Sequence, residues 1–572
     1  MVCRRGFFLE SNRYFVVCLL SAALMGSVCA AERPDSGTIQ RTLPQPIPLQ
    51  SIPSKIPENS EVELDSQGPT ARIDRFDISG NESIATEEIQ AILKIFVGQA
   101  LSAQDLDSVK AVVGNFYRER GYWATVIFPP QDLTENTLRM EIVEAKLGSI
   151  LIDADEGLRF PIDRIANYLD SEQKRGDVLR INELDSGVRK LNTVAGIEAS
   201  LDLQPGEFVG ETDVIVVAEN TPLVNGSLTA DNHGSRSTDY NRGTLSVNLE
   251  SPLRAGERFN FVYLNNSELL YQGVGVTAPI LFDGITMSYQ YTDLVYNLGA
   301  PYETLSGYGD AQSSTTTLAK PLWQGKRAEI NGSIGYAHRT NYDVASGAVS
   351  TDKKIDVWNI SLSSTLQDGL FSGGFNLLSA TLSNGWVDLS GSNTDWQDDQ
   401  DNARTQGHFK KLAISATRIQ IVTDRDSFWL VASGQYSFGR NLDSAEKMSL
   451  GGASGVRAYP SSEASGDEAM LIQLEWRRLM TQAVTGKVFF DWGEITQYAK
   501  QFSTIASVMT GPNRYQLKGA GVGMTWLARD DMNLDVLVAT KLGKNYGADS
   551  TGSDNDGTNY QTRLWLAMTW TF

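Results

Sequence analysis

The last eleven residues read Thr562-Arg563-Leu564-Trp565-Leu566-Ala567-Met568-Thr569-Trp570-Thr571-Phe572. Successive strand side chains point to opposite faces. Leu564, Leu566, Met568, Trp570 and Phe572 therefore share one face, and Arg563, Thr569 and Thr571 share the other. The preceding stretch repeats the pattern, with Met532, Leu534, Val536 and Val538 opposite Asn533 and Asp535. So does 484–492, where Val484, Val488, Phe490 and Trp492 oppose Thr485, Lys487 and Asp491. Half-apolar strands suit a soluble sandwich or a membrane barrel, and the connections between them decide.

Working outward from that end, helical periodicity is lacking back to Leu223. Sixteen segments are predicted as strands: 223–231, 242–250, 258–264, 270–278, 285–293, 312–320, 327–338, 355–366, 374–383, 407–421, 428–437, 467–475, 484–492, 516–526, 531–541 and 562–572. Connections after even-numbered segments are roughly four to eight residues long, and those after odd-numbered ones, the third excepted, roughly ten to 29. Short turns at one end and long loops at the other mark an outer-membrane barrel, whereas a sandwich has no reason to alternate this way. Lipid satisfies no backbone hydrogen bond, so such strands must close on themselves. Tyr and Trp near strand ends suit interfacial girdles. The terminal aromatic, Phe572, matches the habit of barrel-sorting signals.

The chain holds 49 Lys+Arg against 69 Asp+Glu, a net charge of −20. That argues against a nucleic-acid partner, which needs a basic face. After the first 31 residues no uncharged apolar run approaches ~20 residues, which excludes a bundle of membrane helices. Residues 1–31 combine Arg4 and Arg5, an apolar run from Phe15 to Met25, and Gly-Ser-Val-Cys-Ala-Ala, and are expected to be a cleaved secretory signal. Its uncharged stretch is too rich in Ser, Gly and Ala for an anchor. Removing its three arginines and one glutamate takes the net charge from −20 to −22. Cys3, Cys18 and Cys29 all lie inside it, so no disulfide framework or thiolate metal site is expected in the mature chain. Residues 32–70 carry seven of the 18 prolines and are expected to form an extended linker, with Gly37–Arg41 able to form one short helical turn.

Between linker and barrel, two units of about 75 residues each read β-α-α-β-β. In 71–146, Arg72–Ser79 alternates as a strand and ends at the turn pair Gly80-Asn81. Ile89, Ile92, Leu93 and Phe96 then share a helical face, as do Leu106, Val109, Val113, Phe116 and Tyr117. Ala124–Phe128 and Thr137–Val143 are strands on either side of Pro129-Pro130. In 147–219 the same order comes from Gly148–Ile152, Ile162–Leu169, Asn182–Leu191, Ile197–Leu203 and Asp213–Val217. A repeated small fold suggests a binding array. The expected fold is α+β plus all-β: two small β-α-α-β-β domains, then a 16-stranded antiparallel transmembrane β-barrel over 220–572.

Nothing in the pattern points to catalysis, a metal, a cofactor or a small-molecule substrate. His233, His338 and His408 are scattered, with neither His-x-x-x-His nor His-Glu-x-x-His spacing. No Gly-x-Ser-x-Gly elbow is present. The glycine pattern Gly273-Val-Gly275-Val-Thr-Ala278 lies inside a predicted strand with no helix after it. Asp554-Asn-Asp556-Gly557 has the look of a calcium loop, but Gly552 and Arg563 stand where acids are needed, so it reads as a solvated loop tip. Asp395–Asp401 likewise reads as a solvated acidic loop.

Several motifs carry a resemblance. Phe76-Asp-Ile-Ser-Gly80-Asn81 and Leu191-Asn192, Gly196-Ile197 and Pro205-Gly206 resemble parts of polypeptide-transport-associated (POTRA) domains. Asp231-Asn232-His233-Gly234-Ser235 with Pro252-Leu-Arg-Ala-Gly256-Glu257 resembles a first barrel hairpin spelled DNxGS and NPxGxGD, here with Ser251 for Asn and Glu257 for Asp. Leu450-Gly451-Gly452-Ala-Ser-Gly-Val456-Arg457-Ala458-Tyr459-Pro460 resembles the VRGY signature of an extracellular loop, and Phe489-Phe490-Asp491-Trp492-Gly493 its partner motif FxDxG. By these motifs and its domain order, the whole mature chain resembles the outer-membrane transporters of two-partner secretion, the haemolysin/haemagglutinin activation-secretion proteins. The resemblance implies that the loop folds into the barrel and that Arg457 pairs with Asp491. Ala458 replaces the signature's Gly, and Ala tolerates a positive φ poorly.

It further implies that an unfolded exoprotein, of haemolysin, adhesin or contact-dependent toxin type, docks on the POTRA domains and threads the barrel without ATP. An exposed sheet edge can add an extended strand; Ala124–Phe128 and Ile197–Leu203 are the candidate edges. The family's plugging helix has only the short, proline-bounded residues 32–43 to form from, so a linker and a short plug helix both stay open for 32–70. An insertase for barrel proteins, whose relatives usually carry three or more POTRA domains, is the first alternative. A passive porin, which needs no such array, is the second.

Overall fold

The computed structural model describes residues 34–43, 70–133, 135–208, 210–281, 283–505, 509 and 511–572. The expected leader and most of the proline-rich linker lie outside the described residues. The first element, α1 (Ser36–Arg41), stands apart from the small domains and is placed below.

The first small domain comprises β1 (Ala71–Ile73), β2 (Arg75–Ser79), α2 (Thr86–Leu93), β3 (Gln99–Leu101), α3 (Ala103–Glu119), β4 (Ala124–Ile127) and β5 (Thr137–Glu144). Its sheet runs β2-β5-β4, with β2 parallel and β4 antiparallel to β5. Ser102 and Asp105 form a reciprocal capping box that starts α3. The apolar stripe Val109, Val113 and Tyr117 then packs on Phe76, Leu138, Met140 and Ile142. One expectation fails here. The strand predicted over Arg72–Ser79 breaks at Asp74, whose N–H donates to the Asn136 carbonyl at 2.8 Å. Upstream of that break, β1 pairs with β3 in a separate two-stranded ladder.

The second small domain follows without a linker: β6 (Lys146–Ala154), α4 (Ile162–Asp170), α5 (Ile181–Leu191), β7 (Ile197–Pro205) and β8 (Glu211–Asn220), in sheet order β6-β8-β7. The two units interlock. The N–H of Ile181 donates to the Gly121 carbonyl at 2.8 Å, Tyr122 bridges Arg180, and Trp123 packs on the second core.

Sixteen strands then close the barrel: β9 (Val224–Asp231), β10 (Arg242–Glu250), β11 (Arg258–Asn265), β12 (Leu269–Pro279), β13 (Thr286–Asn297), β14 (Tyr308–Gln324), β15 (Ala328–Ala345), β16 (Ala348–Asp368), β17 (Gly374–Asp388), then, after α6 (Asn393–Asp401), β18 (Gly407–Ile421) and β19 (Asp426–Tyr436). A small pair, β20 (Met448–Ser449) and β21 (Ser465–Gly466), lies in the next loop. β22 (Glu468–Thr481), β23 (Val484–Thr496), β24 (Arg514–Arg529), β25 (Met532–Lys541) and β26 (Thr562–Thr571) complete the circuit, each antiparallel to its neighbours, with β26 pairing back to β9. Leu564, Leu566, Met568 and Trp570 face outward and are exposed, as the alternation requires. The Gly226 and Phe572 backbones exchange hydrogen bonds of 2.9 and 3.0 Å beside this seam. No described helix is long and apolar enough to cross a membrane.

Three further expectations are corrected. The long loop predicted after the seventh strand is instead strand, because β15 and β16 run on to a tight turn at Ser346-Gly347 with φ of 51° and 78°. The acidic stretch Asp395–Asp401 lies within α6, and Asp399 is buried, accepting from the Thr405 N–H at 2.6 Å and the Gln406 N–H at 3.1 Å. Asp554 and Asp556 are not a solvated tip. Both are buried, Asp554 paired with Lys541 and Arg563 at 2.7 and 3.1 Å and Asp556 with Arg563 at 3.0 Å. Basic side chains neutralise them where the sequence pattern brought a cation to mind.

On the short-turn side, the turn between β10 and β11 seats the second small domain. Gly256, at φ +80°, has no room for a Cβ beside Val194 and Phe160. Arg164 donates to the Ala255 carbonyl at 3.3 Å. The two departures from the hairpin motif work within this turn. Ser251 Oγ accepts from the Gly256 N–H at 3.0 Å, and the Glu257 carboxylate accepts from the Ala255 N–H at 2.9 Å.

Candidate functional site

Residues 437–467, between β19 and β22, fold back into the barrel, and their far limb forms a buried cluster. Leu450, Val456, Ala458 and Tyr459 pack with Phe489, Leu517 and Ala539 of the wall. Local hydrogen bonds shape the tip: Val456 N–H donates to the Leu450 carbonyl at 2.7 Å, Gly451 N–H to Glu463 at 2.9 Å and Gly452 N–H to Tyr459 at 3.2 Å. The four signature positions Gly451, Gly452, Val456 and Tyr459 thus form one compact hairpin. Gly493 and Gly519 make its landing, because a Cβ on either would stand 3.0 Å from Leu450 or 2.7 Å from Ala458. The departure at Ala458 causes no backbone strain, since the positive φ values nearby fall at Gly452, Ser462 and Ala464.

Arg457 is brought to Asp491 by this packing. Its backbone N–H, Nε and Nη2 reach the Asp491 carboxylate at 3.0, 2.9 and 2.7 Å. Its Nη1 reaches Glu475 at 2.7 Å. The guanidinium lies 3.5 Å from the Phe489 ring centroid, and the Trp565 indole N–H donates to the Arg457 carbonyl at 2.7 Å. Relative exposures are 5% for Arg457, 0% for Asp491 and 8% for Glu475, so the charges interact with little screening. Sequence reasoning missed Glu475 and Trp565, and gave Phe489 only as the first residue of the FxDxG motif. The signal was present in the alternation, since Gln473, Glu475 and Arg477 share the inward face of β22, and Arg477 completes the chain by pairing with Glu475 and covering Trp429 at 3.6 Å.

The near limb of the same loop holds α1. Residues 36–41, in the stretch read as able to form one helical turn, form a helix inside the barrel. Asp35 caps it, accepting from the Thr38 N–H at 2.8 Å and from Lys353 at 3.1 Å. Lys353 also pairs with Asp443, and Ser444 donates to Asp35. Burial alone would raise the Asp35 pKa, but Lys353 and Ser444 outweigh it and hold the carboxyl well below its usual range. Ser36 donates through N and Oγ to Asp343, both at 3.0 Å. Arg41 donates to the Lys447 carbonyl. Gly37 lies so close to the loop that a Cβ there would stand 2.6 Å from that of Ala445. Ile39 and Leu43 complete the contact against Leu264, Tyr271 and Tyr296.

The histidines serve no common site. His233 is edge-on to Trp565, with burial holding its imidazole below the ordinary value. His338 pairs with Asp356, and His408 meets Trp386 edge to face. Among the described residues no cluster of three or more His, Cys, Asp or Glu could hold a metal ion.

A 16-stranded closed barrel, two small β-α-α-β-β domains and an inward loop with a buried Arg–Asp pair are matched by family comparison. Residues 210–525 match the haemolysin secretion/activation protein ShlB/FhaC/HecB, and residues 71–145 match the POTRA domain, ShlB-type. The chain belongs to this family. It is an outer-membrane transporter for protein secretion of the two-partner type, with POTRA domains ahead of its barrel, and not an enzyme. It is similar to the heme/hemopexin transporter protein HuxB of Haemophilus influenzae, at 24% identity over 97% of each chain. It is also similar to the outer membrane transporter CdiB of Dickeya dadantii, at 22% identity over 89% of this chain and 91% of that one. Among solved structures, CdiB from Escherichia coli superposes with a TM-score of 0.64 at 19% identity, covering 90% and 93% of the two chains.

Proposed function

We propose that this transporter exports one dedicated large protein, of haemolysin, adhesin or contact-dependent toxin type, which enters as an unfolded chain. The observation that carries this reading is the filled lumen. α1 and the loop of 437–467 occupy the barrel together, which a passive porin would leave open, and two small β-α-α-β-β domains, the first matching the ShlB-type POTRA model, precede it to receive a chain. On this reading 1–31 is the export signal, 32–70 the linker, 71–146 and 147–219 the receiving domains, and 220–572 the conduit. Phe572 serves barrel sorting, and Arg457 with Asp491 locks the loop.

The receiving surfaces are sheet edges. β4 and β7 are edge strands of their three-stranded sheets, so each offers unpaired backbone groups to an extended peptide. The test is deletion of the chain, complementation with wild type or Arg457→Ala, and mass spectrometry of medium and cell surface. Disappearance of one large protein, restored by wild type, supports dedicated export. Unchanged secretion with a general fall in outer-membrane barrel proteins would mean an insertase instead.

A further inference from the structure

The interior of the barrel has two unlike faces. On the side of β22–β26 it is charged, with Glu475, Asp491, Asp535 and Arg563 in ion pairs, and the inward loop covers much of it. On the side of β13–β19 the inward positions of 288–292, 313–317, 333–337, 359–363, 379–383, 413–417 and 433–435 carry no charge and no side chain larger than Gln. Most are Ser or Thr. The register aligns Ser363, Ser379, Ser415 and Ser433 across four consecutive strands, and one rung above them Ser361 and Thr381 share a hydrogen bond of 2.9 Å. An open cavity of about 670 Å³ lies between this face and the inward loop, with Arg41 and Thr42 at the end of α1 also lining it.

We propose that the hydroxyl-lined face centred on β16–β19 is the surface along which the exported polypeptide passes in extended form. The inference rests on the export reading above. An extended chain carries an unpaired N–H and C=O at nearly every residue. A hydroxyl both donates and accepts, and rotates to do either, so it can replace water against any backbone group that passes. Without charge the face forms no ion pair that would hold one segment, and without large apolar groups it offers little area to bind an apolar one. Conduction needs this combination of contact and easy release. The short side chains also leave width, while the opposite face is already taken up by its own partners.

The test uses a photoreactive benzoylphenylalanine in place of Thr381, Ser415 or, across the lumen, Thr525 of β24, in cells producing the secreted protein that the deletion experiment identifies. Adducts with that protein are expected at 381 and 415 and not at 525. Equal adducts on both faces, adducts only at 525, or none while export continues would each overturn the proposal. A second arm combines Thr381→Lys with Ser415→Lys, expected to cut release roughly tenfold by trapping acidic segments, whereas Thr381→Ser with Ser415→Thr retains it. Should the lysine variant not insert, the adduct pattern alone decides. If no secreted protein depends on the chain, the export reading itself fails, and that outcome is seen before any wall residue is changed.

Discussion

Arg457→Ala removes the centre of the loop's attachment, and its cost follows from what is left behind. Asp491 is fully buried and loses its two guanidinium hydrogen bonds; Glu475 loses one but keeps Arg477. Stranding a buried charge costs about 3–5 kcal/mol, paid by the docked loop alone, because water solvates the carboxylate once the loop leaves. At about 1.4 kcal/mol per tenfold, the undocked population rises roughly 10²- to 4 × 10³-fold. Amide exchange read by mass spectrometry measures that opening directly. Protection of peptides spanning 450–460 should fall by that factor while β15 and β16 stay protected. Arg457→Lys keeps the charge but loses the fork, so it should fall between wild type and Ala. Asp491→Asn should cost more than Glu475→Gln, since Asp491 accepts three bonds from Arg457 and Glu475 only one. Unchanged protection in Arg457→Ala, or an equal cost for the two acid variants, would refute the reasoning.

Four other outcomes are expected. Gly519→Ala should loosen the loop by about 1–3 kcal/mol through overpacking on Ala458, and Ala458→Gly in the same chain should restore it, a coupling that a double-mutant cycle of loop protection reads. Gly37→Leu should expel α1, because even a Cβ would meet Ala445 at 2.6 Å, and single-channel recording in planar bilayers should show higher conductance. Gly256→Val should unseat the second small domain, at a position with φ of +80° and no room beside Val194; faster protease cleavage near 220 with the barrel intact is the readout. Burial pushes the carboxyl of Glu463, in the inward loop, up to about 7, with Asp554 adding to the shift. A pKa raised by docking means the docked loop binds protons more tightly. Its attachment is therefore fully favoured below the ordinary carboxyl value and weakens as pH rises towards about 7. Loop protection, corrected for intrinsic exchange, should be higher near pH 5.5 than near pH 7.5, and Glu463→Gln should flatten the difference.

The barrel is legible in the sequence because its rule is local. A period of two needs only neighbours, so Val484–Trp492 and Thr562–Phe572 announce their faces unaided. Each of the sixteen strands overlaps one predicted segment, yet β14, β15 and β16 extend well past theirs. Their upper parts lose the apolar alternation once they leave the lipid, while backbone pairing continues to Ala345 and Ala348. Alternation reports the solvent on each face, and not the end of a strand. Asp491 is legible on the inward face for the same local reason.

What escapes is whatever depends on a partner hundreds of residues away. Asp35 and Ser36 meet Lys353, Ser444 and Asp343, more than 300 positions along the chain, and only that company makes six residues with little helix-forming strength into a helix. Asp554 and Asp556 read as solvated because their own stretch is polar, but Lys541 and Arg563, flanking them on adjacent strands, draw them into the barrel. Glu475 looks like one more inward carboxylate until the loop delivers Arg457 to it. Each of these charges would be costly to bury alone and is tolerated as a member of a set. The plug and the lock share the one loop, with Asp443 and Ser444 on its near limb and Arg457 on its far limb, zipped together by β20 and β21. Pulling that loop from the wall therefore strains the seat of α1 as well, so substitutions at Gly37 and Arg457 should combine with less than the sum of their separate effects.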